Sequence, residues 1–73
     1  MAELTIFDRA IAAFKRALEI KPGSPQAWNN LAMAYRLSGD TASARDAYRR
    51  SLALVPGQAD VRMHLEMLET APR

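Results

Sequence analysis

Apolar residues in this chain recur at three- and four-residue steps, and three breaks divide them into four stretches. Phe7, Ile11, Phe14 and Leu18 mark the first stretch, with Ala10 and Ala17 beside them. Trp28, Leu31, Ala32 and Tyr35 mark the second, and Ala44, Ala47, Tyr48, Leu52 and Val55 the third. Val61, Leu65 and Leu68 mark the fourth. This is the spacing of one face of an α-helix, and no stretch alternates with the period of two that a strand requires. Four helices and an all-α fold are predicted. The breaks are Pro22-Gly23, Ser38-Gly39-Asp40 and Pro56-Gly57. Each reads as a helix stop, because glycine accepts the left-handed turn after a helix and proline cannot continue one. Start signals agree. Ser24 before Pro25 fits an N-cap and a first-turn proline, Asp40 is placed to cap the third helix, and Thr5 with Asp8 has the spacing of a capping box.

The chain also repeats itself. A shift of 34 residues lays Ala10 on Ala44, Phe14 on Tyr48, Ala17 on Ser51, Leu18 on Leu52 and Pro22-Gly23 on Pro56-Gly57. Small residues fall on small, aromatic on aromatic, and turn on turn. A constant period of this size is the mark of a solenoid built from helical hairpins.

At this point the residues meet a known family. Residues 25–58 resemble a complete tetratricopeptide repeat. Trp28, Leu31, Ala32 and Tyr35 match its W-x2-L-G/A-x2-Y run, and Ala44, Tyr48 and Pro56 match its later A-x3-F/Y and Pro positions. Ser51 stands where the family usually has alanine. The resemblance implies a right-handed superhelical stack of antiparallel helix pairs. Small residues at 32, 44 and 51 would let helices approach while Trp28, Leu31, Tyr35 and Tyr48 fill the core. Residues 1–24 resemble the second helix of a preceding repeat. Residues 59–73 resemble the first helix of a following one, but the signature fails there. The Trp, Gly/Ala and Tyr positions hold Arg62, Glu66 and Glu69, which identifies this helix as a polar cap ending the array. The whole chain is expected to form one domain.

Composition narrows the function classes. The chain has 73 residues, 49% of them hydrophobic and 25% charged, which is ordinary globular usage and argues against disorder. A chain this short buries only about 60% of its unfolded surface. It has no cysteine to reinforce it. Ten Lys+Arg oppose eight Asp+Glu with the signs interleaved, so no nucleic-acid footprint emerges. Arg45, Arg49 and Arg50 come nearest to a basic patch, but Asp46 interrupts them. No apolar run approaches the ~20 residues that span a bilayer, and no signal peptide is visible. A soluble cytoplasmic protein with no nucleic-acid or membrane partner is the expectation.

In the family, first helices of successive repeats line a concave groove that holds partner segments. Position by position, the resemblance assigns that surface to Gln26, Asn29, Asn30, Met33, Arg36 and Leu37. The fourth helix adds Asp60, Met63, His64 and Met67. Asn30 stands where many members hydrogen-bond a peptide backbone, and the methionines offer a soft, adaptable surface. Methionines at helical spacing more often complete a core or a dimer interface than a ligand groove. The clamp by which some members hold chaperone tails is broken, since Asp60 and His64 occupy two of its basic positions. Phe7, Ile11 and Phe14 form an apolar face with nothing upstream to cover it, so self-association into a homo-oligomer is the second expectation.

Catalysis has little support. His64 is the one histidine and has no nucleophile placed beside it by a recognised motif. Asp60 and His64 lie one helical turn apart, but two ligands are too few for a metal site. No cofactor and no metal are expected. The leading reading is a non-catalytic adaptor or scaffold that binds a protein or peptide partner.

Overall fold

A computed structural model of the chain describes residues 6–70. It contains four α-helices: α1 Ile6–Ile20, α2 Pro25–Ser38, α3 Thr41–Leu54 and α4 Ala59–Thr70. No strand occurs among the described residues. The predicted capping box involves Thr5, which lies outside them.

The helix boundaries follow from local chemistry. Ser24 is extended, and its hydroxyl accepts the Ala27 N–H at 3.2 Å, with Pro25 in the first turn of α2 where no amide hydrogen is needed. Asp40 caps α3 by accepting the Ser43 N–H at 3.1 Å. Between them Gly39 takes φ +92°, and its own N–H and that of Asp40 return to the Arg36 and Tyr35 carbonyls. That closes α2 in the left-handed manner that favours glycine.

The two Pro-Gly stops work differently from the sequence expectation. Neither Gly23 nor Gly57 has positive φ. Val55 closes α3 in an extended conformation, φ −137° and ψ 94°. This is what the ring of the following Pro56 imposes on the residue before it. Proline stops the helix at that turn, and the glycine after it is not in the left-handed region.

Packing runs between sequential neighbours, α1 on α2, α2 on α3 and α3 on α4, with the α2–α3 interface the most extensive. The Cα positions span 41 × 34 × 14 Å. The short dimension equals one interhelical spacing of about 8–10 Å plus the ~4.6 Å width of a Cα cylinder. The helices therefore zigzag between two layers, α1 and α3 in one and α2 and α4 in the other.

Small residues make that approach possible. Ala32 and Ala44 are fully buried where α2 meets α3, and Ser51 is 0% exposed. Tyr48 (2% exposed), Leu31, Ala47, Leu18 and Val61 form the core, with Ile11, Phe14, Trp28, Tyr35, Leu65 and Leu68 packed against it. Trp28 departs from the core reading. It is half-buried, its indole N–H donates to the Pro22 carbonyl at 3.0 Å, and the Arg50 guanidinium lies 5.2 Å over its ring. Arg62, Glu66 and Glu69 are exposed on α4. Glu69 is paired with Arg49, and Arg62 donates to the Pro56 carbonyl at 2.8 Å.

Candidate functional site

A two-layer zigzag leaves a trough between the helices of each layer. One lies between α2 and α4 with α3 beneath it. The other lies between α1 and α3 with α2 beneath it.

The α2/α4 trough holds the residues assigned to partner binding. Gln26, Asn30, Met33 and Leu37 are exposed on α2, while Asn29 and Arg36 are half-buried. On α4, Met63 and Met67 are 61% and 56% exposed, Asp60 is exposed, and His64 is half-buried. His64 lies flat on Tyr48, ring centroids 5.9 Å apart and planes 14° from parallel. Tyr48 thus fills the floor from α3. Burial raises its phenol pKa above the ordinary 10.0, the nearby Arg36 charge works against that, and Asp60 adds to it.

A polar clip crosses the same trough, and sequence reasoning missed its centre. Gln58, just before α4, donates through Nε2 to the Val55 carbonyl (2.9 Å), the Ser51 carbonyl (3.1 Å) and the Ser51 hydroxyl oxygen (3.0 Å). Its Oε1 accepts from Asn29 Nδ2 at 2.9 Å, and the Ser51 hydroxyl donates to the Pro25 carbonyl at 3.2 Å. The two carbonyls can only accept, so they fix which end of the Gln58 amide is nitrogen. Gln58 then offers Asn29 an oxygen, and Asn29 must meet it with its NH₂. The Asn29 carbonyl oxygen is left over. Asn29 Oδ1, Arg36 Nε and His64 Nδ1 are buried and have no hydrogen-bond partner among the described residues.

The residues predicted for self-association sit elsewhere. Phe7, Ile11 and Phe14 are all half-buried, and Ile11 and Phe14 pack against the core on α2. The 34-residue counterparts show how much cover α1 has: Ser51 and Tyr48 are sealed, whereas Ala17 is exposed and Phe14 only half-buried.

The α1/α3 trough holds a hollow of about 920 Å³ that is open to solvent. Trp28, Leu31 and Tyr35 form its floor, Lys15, Arg16 and Glu19 line its α1 side, and Asp46 and Arg50 its α3 side. The sequence offered one unused signal for it: Ala12, Ala42 and Ala47, which also line it, are too small to fill the gap.

Among the described residues no group of three or more His, Asp or Glu side chains is placed to hold a metal ion. No described helix is long and apolar enough to cross a membrane.

Antiparallel helix pairs stacked at a 34-residue period, with small residues at the crossings, define a helical-repeat protein. The chain belongs to the tetratricopeptide repeat family, whose model matches residues 6–59. Tetratricopeptide repeat protein 36 of Caenorhabditis elegans is 43% identical over 54 residues, 74% of this chain and 30% of that protein. Superkiller protein 3 of Schizosaccharomyces pombe is 38% identical over 63 residues, 86% of this chain and 4% of that protein. Human protein O-mannosyl-transferase TMTC1 is 30% identical over 69 residues, 94% of this chain and 8% of that protein. The chain spans less than a tenth of the length of that human relative. The transferase name describes a whole protein, whereas the likeness lies in a repeat segment. Repeats of this family typically serve protein–protein interaction rather than catalysis.

Proposed function

We propose that this chain is a protein-interaction module that takes a partner peptide segment along the α2/α4 trough, the concave face of the stack. One observation carries the reading. Asn29 Oδ1, Arg36 Nε and His64 Nδ1 are buried without partners on that face. An unpaired buried polar atom costs about 1–3 kcal/mol, so such atoms gain from a ligand that brings the complementary group. Once rotation of these half-buried side chains brings the atoms to the surface, a peptide backbone offers both kinds of partner, N–H for the Asn29 oxygen and C=O for the Arg36 N–H. Met33, Met63 and Met67 flank these atoms and offer the apolar contact that polar bonds alone do not supply. Gln26, Asn30 and Leu37 extend the surface. The reading assigns no catalytic residue, metal or cofactor.

The test is partner capture by Asn30→Ala and Met33→Glu. Both residues are exposed, so helix content should stay at the parent level while binding weakens. Loss of folding in either variant, or undiminished binding in both, would sink the assignment.

A second reading is favoured by the uneven cover of α1. The face that α3 buries through Tyr48 and Ser51 is only partly covered at Phe14 and open at Ala17. A second copy seated there would bury it, with Phe7, Ile11 and Phe14 at the contact. Light scattering after size exclusion decides this. A dimeric mass that Phe7→Glu converts to monomer supports it, and a monomeric parent at high concentration ends it.

A further inference from the structure

The α1/α3 trough lies on the layer opposite the proposed peptide face and has no part in that reading. Its floor is apolar and aromatic: Leu31 is buried, and Trp28 and Tyr35 are half-buried beneath open space. The hollow of about 920 Å³ therefore has two large rings that the fold itself leaves partly uncovered.

Its rim charges are unequal. On the α3 side Arg50 is engaged twice, with Asp46 at 3.4 Å and over the Trp28 ring at 5.2 Å. On the α1 side Lys15 and Arg16 are exposed and have no ion-pair partner among the described residues. Glu19 lies one turn further along the same helix. The free positive charge is therefore concentrated beside the middle of α1.

The walls decide what form an occupant takes. α1, α2 and α3 satisfy their interior backbone groups within themselves, so the trough has no strand edge to pair with an extended chain. An extended segment would bury N–H and C=O groups with no ladder to receive them. A helix brings its backbone already bonded and presents only side chains.

We propose that the α1/α3 trough is a docking site for an amphipathic α-helix of a partner protein, whose apolar stripe covers Trp28, Leu31 and Tyr35 and whose acidic edge meets Lys15 and Arg16. The carboxylates belong beside Lys15 and Arg16, and a neutral or basic residue belongs beside Glu19. That sets the direction in which the helix lies.

The chain carries its own probe, because Trp28 is its one tryptophan and lies in the floor. The titrant is a synthetic helix of about 14 residues, long enough to lie along the trough. It is stapled because an unsupported helix of that length is marginal in water. Leucines run at i, i+3, i+4 and i+7, with glutamates along one flank. The expected result is a saturable change in Trp28 fluorescence. Lys15→Glu/Arg16→Glu should weaken it by about tenfold or more and make a lysine-flanked version of the peptide the better ligand. Met33→Glu, on the other face, should leave it unchanged. Four results would overturn the proposal: no fluorescence change, equal binding of both peptides to the parent, loss with Met33→Glu but not with the double reversal, or a concentration-dependent change without peptide. The last would make a second copy of this chain the occupant. Lys15 and Arg16 are exposed, so an unchanged circular dichroism spectrum is expected of the double variant and confirms that binding, not folding, is read.

Discussion

Removing the Gln58 side chain should cost this fold more than its half-exposed position implies. Gln58 joins three helices: it holds the end of α3 through Ser51 and Val55, and α2 through Asn29, at the start of α4. Its NH₂ has two hydrogens for three acceptors, so at least one contact is shared, and with the accepted Asn29 bond about three effective hydrogen bonds remain. At ~1 kcal/mol each, discounted because water reaches part of the site, Gln58→Ala should cost about 2 kcal/mol. Ser51→Ala is the informative control. It deletes a hydroxyl that is 0% exposed, yet Gln58 keeps both its carbonyl acceptors, and the Pro25 carbonyl keeps its helical partner. The lost bonds are offset by no longer burying a hydroxyl, so its cost should stay below about 1 kcal/mol. Urea unfolding followed by circular dichroism separates these values. For a domain of this size ~2 kcal/mol corresponds to a fall in Tm of roughly 8–16 °C. Gln58→Ala within about 0.5 kcal/mol of the parent, or Ser51→Ala costing more than Gln58→Ala, would refute the clip as a stabilising element.

Two further outcomes follow from the turns and the core. Gly39→Ala should lose about 1 kcal/mol in the same unfolding assay because φ is +92°, whereas Gly23→Ala and Gly57→Ala should stay within about 0.5 kcal/mol, having no positive φ and nothing within 4 Å of the added carbon. Tyr48 sets an alkaline limit: below the ordinary pKa of 10.0 both folded and unfolded chains hold the phenol proton, and above it the unfolded chain loses that proton first. Thermal stability should therefore decline above about pH 10, and Tyr48→Phe, measured over the same range, should flatten that decline.

Most of the fold was legible because it is written in one-dimensional signals: helical spacing, capping side chains and a 34-residue period. Ser24, Asp40 and Gly39 act as local chemistry predicts, since a cap depends on residues three or four positions away. The Pro-Gly turns misled in mechanism only, because proline and glycine each suffice to end a helix and the composition does not say which one acts. Gln58 was invisible for a different reason. Its partner Asn29 lies 29 residues away, and a lone glutamine beside a turn has no periodicity to single it out. Trp28 was read as core from its signature position, yet burial depends on what stands opposite, and the small residues across the α1/α3 trough leave it partly uncovered.

The two troughs show where binding character resides in such a chain. Signature residues such as Trp28, Leu31, Tyr35 and Tyr48 make their floors, and any repeat that stacks will have similar floors. What differs is the material above them. Over the α2/α4 trough, Gln58, Asn29 and His64 are not signature residues, yet they bridge the helices and leave the unpaired polar atoms. Over the α1/α3 trough, alanines stand at the rim and the floor stays open. Matching the family pattern thus fixes the spacing of the helices and almost none of the recognition chemistry. A variant that keeps every signature residue but replaces Asn29, Arg36 and His64 with alanine should therefore stay folded and lose its peptide. One that fills the other trough through Ala12→Leu and Ala42→Leu should keep the peptide and lose the helix. If either variant lost both ligands while remaining folded, the two faces would act as one site rather than as two independent ones.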